Sequence, residues 1–251
     1  MQTTIVHNNK TYACNLLASF DISMPLRPGE ENVSCFYAPP VEINPVVSGD
    51  FIGSTKAGGA VNFMNVTFNP HGNGTHTECV GHIATEKYLI NESLLNFHFV
   101  AKLISIRPEK MENGDFVILK KQVEAALGNE KITAIIIRSL PNDDSKLKRQ
   151  YSGTNPTYFH YEVMEFLIEK GIQHLLTDLP SVDREEDKGE LLAHRAFWQY
   201  PDNIRENATI TELIYVEPEV LDGLYLLNLQ ITSLEMDASP SKPVLYVLTL
   251  A

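Results

Sequence analysis

Stretches of alternating and of continuous apolar residues indicate several strands in the chain. Residues 60–70, AVNFMNVTFNP, alternate apolar with polar positions and end at Pro70, which is typical of a half-buried strand. Residues 99–106, FVAKLISI, and 132–140, ITAIIIRSL, are aliphatic runs of strand length. Because such runs favour strands that are covered on both faces, we predict two buried strands here.

Two further segments carry the period of amphipathic helices. Residues 114–131 predict a short helix that closes at Gly128. In residues 158–171, which end at Gly171, apolar side chains recur at i, i+4, i+7 and i+8 and so share one helix face: Phe159, Val163, Phe166 and Leu167. A strand, IQHLLTDL (172–179), follows, so this region predicts a strand–helix–strand unit.

Residues 25–59 carry much of the proline and glycine, which predicts a long loop and not a layer of hydrophobic strands. Such a loop is either a lid or binding segment, or a surface connection. The tail, residues 211–250, returns to strand patterns. The predicted strands and helices together indicate a mixed α/β class. No linker divides the chain, so we predict a single domain over residues 1–251.

Composition and charge narrow the classes of partner. The chain has 251 residues, 43% of them hydrophobic, and a net charge of −12, which argues against nucleic acid and anionic membranes as partners. Cys14, Cys35 and Cys79 are odd in number and widely spaced, unlike a disulfide framework. The first residues lack a secretory pattern, and the aliphatic runs are too short to span a bilayer. We therefore expect a cytoplasmic protein.

The candidate chemistry is concentrated in residues 69–82, NPHGNGTHTECVGH. His76, Glu78 and His82 differ by even numbers, so on an extended segment they project from one face. Burying two imidazoles and a carboxylate together is costly without a cation or dense hydrogen bonding, and such a set suits zinc or manganese. The alternative is a polar loop whose histidines contact solvent, and this stretch alone leaves both open.

The same stretch resembles the motif His-x-Gly-Thr-His-x-Asp-x-Pro-x-His of the metal-dependent cyclase family, which includes bacterial kynurenine formamidases and isatin hydrolases. Gly74, Thr75, His76 and His82 match it, and Glu78 stands where the family has Asp. Further segments resemble the family in the same order: 21–29 (DISMPLRPG), 155–183 (NPTYFHYEVMEFLIEKGIQHLLTDLPSVD), 191–198 (LLAHRAFW), 204–207 (IREN) and 236–247 (MDASPSKPVLYV).

The resemblance implies a swivelling β/β/α fold with a mixed sheet core, a divalent metal, and a homodimer or homotetramer. It also implies that His82 is the general acid/base and that Glu78 bridges two metal positions. The metal ligands that it implies are three histidines and two glutamates: His71, His76, Glu78, His194 and Glu206.

Two positions depart from the family motif. The family's first histidine precedes the second by four residues, whereas here Gly72 occupies that position and His71 precedes His76 by five. A shift of one residue on a plain strand turns a side chain to the opposite face. Either a bulge between Gly72 and Gly74 returns His71 to the site, which we favour, or the ligand is lost. In addition, Glu78 is one methylene longer than Asp.

An intact site predicts a metal-dependent hydrolase of a C–N bond in a small amide, formamide or lactam, similar to an arylformamidase. A bound ion, zinc in the first place and manganese as the alternative, would supply hydroxide near neutral pH, and His82 would transfer the proton to the departing amine. Phe36, Tyr37 and Phe51 of the loop 25–59 either wall a pocket for an aromatic substrate or pack within the loop, and the sequence leaves both open. Two alternatives are a catalytically inert binding protein on this scaffold and a thiol enzyme that uses Cys79 with His82.

Overall fold

The computed structural model describes residues 1–251. Sixteen strands, β1 to β16, are formed by Gln2–His7, Lys10–Asp21, Glu42–Pro45, Val47–Ser48, Phe51–Ile52, Met64–Thr67, His76–Glu78, His98–Ile106, Glu109–Lys110, Phe116–Ile118, Ala134–Ser139, Tyr158–Phe159, His174–Thr177, Thr209–Glu212, Gly223–Ile231 and Ala238–Leu250. Four α-helices, α1 to α4, are formed by Ile90–Ser93, Lys120–Leu127, Tyr161–Glu169 and Leu192–Trp198. Short 3₁₀ turns occur at Thr55–Ala57, Val80–His82 and Asp144–Lys148. None of the helices has the length and apolar character needed to cross a bilayer.

Nine of these strands form one mixed sheet in the order β1-β2-β16-β15-β8-β11-β13-β14-β7. The three residues of β7 are hydrogen-bonded on one side to β14 and on the other to β16, so the sheet curls round and closes on itself. Strands β8, β11, β13 and β14 are parallel, and β15, β16 and β7 pair antiparallel. The mixed α/β fold predicted from the sequence is confirmed.

The strands of the parallel region are covered on both faces, which accounts for their continuous aliphatic sequences. In β11 every residue is buried. Ile135 and Ile137 face one hydrophobic cluster, which includes residues of α2, α3 and α4. Ala134 and Ile136 face a second cluster in the interior of the curved sheet. Successive side chains of β11 point to opposite faces, so one face of the strand packs against the helices and the other packs in the interior of the curved sheet.

The predicted helices and the strand–helix–strand unit are present. Helix α2 is followed by Gly128 with a φ of 63°, and α3 by Gly171 with a φ of 77°. Strands β11 and β13, on either side of α3, are parallel neighbours in the sheet. The segment 25–59 is a long connection whose strands β3, β4 and β5 belong only to two small two-stranded sheets, β3-β6 and β4-β5.

His174 is a packing residue within this sheet. It lies on β13, is 4% exposed, and its Nδ1 is 2.9 Å from Oγ1 of Thr209. The ring of Phe99 packs against it at 4.1 Å between centroids. Burial, followed by the positive charge of Arg205, lowers the pKa of His174 from 6.5 to about 4. The folded protein therefore keeps this imidazole neutral under conditions in which the unfolded chain protonates it.

This burial predicts that stability falls in mild acid. Between pH 6.5 and about 4 the unfolded chain binds a proton at His174 that the folded protein excludes, so the stability present above pH 6.5 is lost as the pH falls. The full difference corresponds to about 3 kcal/mol. Urea unfolding of the His174→Gln variant should show a shallower loss across this range than the unchanged protein. The same change at exposed His98 is the control, and an unaltered slope in His174→Gln would contradict the prediction.

Candidate metal centre

The short strand β7 carries the centre of the site. His76 and Glu78, two residues apart, are both fully buried and project from one face, as the alternation predicts. The antiparallel register sets Glu212 of β14 opposite His76, and Ala238 of β16 opposite Glu78. Oε2 of Glu212 lies 3.5 Å from Nε2 of His76. The pairing of three strands therefore places both carboxylates beside the buried imidazole.

His71 reaches the same centre from the turn that precedes β7. In this turn Asn69 accepts a hydrogen bond from the Gly72 N–H at 2.9 Å, and its own N–H donates to Oδ1 of Asn73 at 2.7 Å. The additional residue is thus taken up by a hydrogen-bonded turn, not by a bulge within a strand. Nδ1 of His71 lies 3.1 Å from Oε2 of Glu78, so His71 joins the cluster despite its shifted spacing.

Glycine at position 72 is required by the close approach of the loop 25–59. A Cβ at Gly72 would lie 2.3 Å from Cβ of Ala38 and 3.0 Å from the carbonyl oxygen of Cys35. The Cys35 N–H donates to the Gly72 carbonyl at 3.0 Å. Because no side chain fits there, the loop is held directly against the turn that carries His71.

His82 lies beyond the end of the strand. The chain leaves β7 after Glu78, and the 3₁₀ turn Val80–His82 brings Nδ1 of His82 to 3.7 Å from Oε2 of Glu78. The prediction of one extended face therefore holds for His76 and Glu78, but His82 arrives by a turn. Its side chain is the most accessible of the cluster histidines, with 32% exposure.

Cys79 points away from this centre. It is fully buried and belongs to the hydrophobic cluster in the interior of the sheet, with Ile22 and Ile90. Burial raises the pKa of its thiol, which disfavours the reactive thiolate. This placement contradicts the hypothesis of a thiol enzyme that uses Cys79 with His82.

His194 is fixed by Asp183 at the start of α4. The Asp183 carboxylate accepts hydrogen bonds from the backbone N–H groups of Ala193, at 2.7 Å, and His194, at 3.1 Å. It also accepts from Nδ1 of His194 at 2.7 Å. The opposite nitrogen, Nε2, lies 3.2 Å from Oε1 of Glu78. Burial opposes protonation of His194, but Asp183 and Glu78 outweigh it and raise its pKa well above the usual value.

The structure corrects the placing of Glu206. This residue is exposed in the turn between α4 and β14 and lines a separate surface depression with Gln173 and Asn207. Glu212 is the carboxylate that joins the cluster: it is 4% exposed, and its Oε1 lies 4.0 Å from Nε2 of His194. A signal for it exists in the sequence, because Glu212 is the only charged residue in the apolar run ITELIYV.

Sequence reasoning also missed Asp237, which precedes β16. Its Oδ2 accepts a hydrogen bond from Nε2 of His71 at 2.9 Å and lies 3.5 Å from Nδ1 of His82. Burial opposes protonation of His71, but the Asp237 hydrogen bond and the nearby Glu78 carboxylate outweigh it and raise the pKa of His71 to about 10. Only the pairing of β7 with β16 brings residues 166 positions apart into this contact.

The donor set fits a divalent cation. Two ligand atoms, Nε2 of His76 and Oε2 of Glu78, are buried without a hydrogen-bond partner in the protein. Such atoms cost free energy that a bound cation would recover. Burial favours the neutral acid at Glu78, but the positive charge of His82 and the nearby imidazoles of His194 and His71 outweigh it and hold its pKa well below the usual value. Ligand atoms lie within 4.8 Å of one another in two groups that share Glu78: His71, His76 and Glu78; and Glu78, His82 and His194.

The centre opens into a cavity of about 340 Å³. His71, His82, His194 and Glu212 line it, together with Phe36 of the loop 25–59. A second cavity of about 410 Å³ shares three of the lining residues, Asp183, Arg184 and Asp187, and carries Tyr158 and Tyr161. The space beside the cluster is therefore suited to a small molecule.

Comparisons with known proteins identify relatives of this chain. The kynurenine formamidase of Bacillus cereus (strain ATCC 10987 / NRS 248) is 28% identical over 189 residues, which cover 74% of this chain and 81% of that protein. The kynurenine formamidase of Bacillus anthracis is 26% identical over 200 residues, 79% of this chain and 86% of that protein. These relatives are similar over most of their length.

Solved structures show the same fold. Isatin hydrolase A from Ralstonia solanacearum aligns with a TM-score of 0.65 at 15% identity and covers 92% of each chain. A potential metal-dependent hydrolase with cyclase activity aligns with a TM-score of 0.65 at 14% identity, over 91% of this chain and 97% of the other. A family model described as Putative cyclase matches residues 20–184, more than half of the sequence, and includes the turn, β7 and Asp183. The chain therefore belongs to the Putative cyclase family.

Proposed function

We propose that this protein is a metal-dependent hydrolase that cleaves the C–N bond of a small amide, formamide or lactam. The observation that carries the proposal is the buried Glu78 carboxylate, which three histidines surround while two ligand atoms remain unpartnered. The named activities of the relatives, kynurenine formamidase and isatin hydrolase, support this class of reaction.

Five residues would hold the metal, with zinc as the first expectation and manganese as the alternative: His71, His76, Glu78, His194 and Glu212. When bound there, a divalent ion would polarise the substrate carbonyl and make a water more acidic. Glu78 faces His71 through one oxygen and His194 through the other, so it is the candidate bridge if two ions bind.

His82 would move the proton. Its Nδ1 faces the carboxylates of Glu78 and Asp237, which leaves Nε2 available at the edge of the cavity. As water adds to the substrate carbonyl, His82 would take a proton from it, and as the C–N bond breaks His82 would return that proton to the departing amine. The exposure of His82 beside a cavity favours an enzyme over a catalytically inert binding protein on the same scaffold.

The position of Phe36 supports the proposal that the substrate is aromatic. Phe36 and Tyr37 have φ values of 54° and 55°, and the Ala38 N–H donates to the Cys35 carbonyl at 3.1 Å, which is the pattern of a type I′ turn. Such turns favour Asn-Gly, and bulky residues in this conformation cost of order 1–3 kcal/mol each. The strained turn presents Phe36 to the cavity, where its ring would contact an aryl group.

A homodimer or homotetramer remains a prediction. The loop 25–59 and the strand β6 carry exposed apolar side chains on which an association would depend: Ile43, Val47, Phe51, Met64 and Val66.

The proposed ligand set predicts a contrast between two glutamates. Glu212→Gln removes a buried carboxylate beside His76, so we expect zinc affinity to fall by at least tenfold. Glu206→Gln, a change of the same chemistry at an exposed position outside the cluster, should leave zinc affinity unchanged and is the matched control. Competition with a chromophoric chelator measures both. Loss of affinity in Glu206→Gln alone would reverse the assignment.

The proposed reaction predicts a loss of activity with retention of metal. Protein purified without chelator should carry one or two zinc or manganese ions per chain and hydrolyse members of a panel of formanilides, lactams and esters. His82→Asn should lower kcat by about 10²–10⁴-fold, because the proton donor is lost, while the metal content stays the same. Metal-loaded protein that cleaves no member of the panel would instead support the inert binding protein.

The strained turn predicts that stability and substrate preference can be separated. Replacing Phe36-Tyr37 by Asn-Gly relieves the backbone and should raise the Tm by about 2–4 °C or more. It should also lower kcat/KM for formanilide relative to N-cyclohexylformamide by up to about tenfold. Tyr37→Gly is the control, since this side chain is 75% exposed and lies outside the cavity lining. It should gain stability and keep the preference; an unchanged ratio in the double variant would refute the aryl contact.

A further inference from the structure

We propose that Asp237 is a positioning residue that makes His71 present Nδ1 to the metal, whereas His76 and His194 present Nε2. This inference rests on the metal site of the proposed function. It concerns which nitrogen of each imidazole is a ligand, and it assigns that choice to a carboxylate whose partner lies 166 residues away in the sequence.

Apart from the Glu78 carboxylate at the centre of the cluster, each of the three histidines has one ring nitrogen that donates to an oxygen acceptor. Nδ1 of His76 donates to the carbonyl of Gly74 at 3.0 Å, and Nδ1 of His194 donates to Asp183 at 2.7 Å. In His71 the other ring nitrogen is the donor: its Nε2 donates to Asp237 at 2.9 Å. A ring nitrogen that donates such a hydrogen bond keeps its proton, so the opposite nitrogen of the same ring is left for the metal.

The nitrogens that remain converge on the same carboxylate. Nδ1 of His71 lies 3.1 Å from Oε2 of Glu78, and Nε2 of His194 lies 3.2 Å from Oε1. Nε2 of His76 is buried without a hydrogen-bond partner. The acceptors therefore lie on the outside of the cluster, and the nitrogens left for the metal lie on the inside, which is the arrangement of a preformed metal site.

Asp237 is held in place by the sheet. It immediately precedes β16, where Ala238 pairs with Glu78, and its carbonyl accepts the Cys79 N–H at 3.0 Å. A Cβ at Gly81 would lie 3.1 Å from Cβ of Asp237, so glycine at position 81 leaves the room that Asp237 occupies. The carboxylate is consequently fixed relative to β7 and to its turn.

This assignment accounts for the shifted histidine. His71 approaches from a turn and not from the strand, with Asp237 on its outer side. Nδ1 lies nearer the backbone than Nε2, so coordination through Nδ1 shortens the reach of His71. The longer side chain of Glu78 extends the reach from β7. The two departures from the family motif thus offset each other around one position.

Nitrogen-15 spectra of the zinc-loaded protein test the inference. Long-range ¹H–¹⁵N correlations identify which ring nitrogen carries the proton, and His71 is assigned by the signal lost in His71→Gln. We expect a proton on Nε2 of His71 and on Nδ1 of His76 and His194. A proton on Nδ1 of His71 would overturn the proposal.

Variants separate this role from a general structural one. Asp237→Ala should lower zinc affinity about 10–100-fold and remove the Nε2–H signal, and Asp237→Asn, which retains an acceptor oxygen, should restore part of both. Asp183→Asn is the control, because it should weaken zinc binding and leave the His71 signal unchanged. Full zinc affinity in Asp237→Ala with reduced hydrolysis would show that the carboxylate serves His82 instead. Absence of both zinc and manganese from the unchanged protein would refute the proposed function itself.

Discussion

A buried carboxylate on the shortest strand of the closed sheet is the constraint on which the site depends. Glu78 is fully buried, and an isolated carboxylate in that position would cost several kcal/mol. The chain meets that cost by surrounding Glu78 with the imidazoles of His71, His82 and His194. The same set of donors and acceptors is suited to a divalent ion, so the requirement for burial and the proposed chemistry have one origin.

The backbone of β7 explains how such a cluster is assembled. Because β7 pairs with β14 on one side and β16 on the other, each of its residues has two cross-strand neighbours. Glu212 arrives through the first pairing and Asp237 through the second, while α4 contributes His194 from above the sheet. Residues from distant parts of the chain are thus brought together around the three residues of β7.

The sequence indicates those parts of the fold and site that depend on local pattern. The parallel strands and the helices α2 and α3 were predictable because apolar periodicity follows directly from their burial. The motif around His76 can be recognised because its residues lie close together along the chain. His194 can be recognised because it lies in a segment that resembles the family. The resemblance of the segment 204–207 (IREN) to the family implies Glu206, whereas strand register, which no spacing reveals, brings in Glu212. Asp237 depends on a pairing of distant strands and had no local signal.

The double pairing of β7 also has a consequence for the order in which the protein matures. Until β16 pairs with β7, this strand lacks one of its two neighbours and the site lacks Asp237. The sheet is still open at that stage, and His71 has no fixed partner on its outer side. Contacts of such large sequence separation are slow to form. Assembly of the complete site is therefore coupled to closure of the sheet.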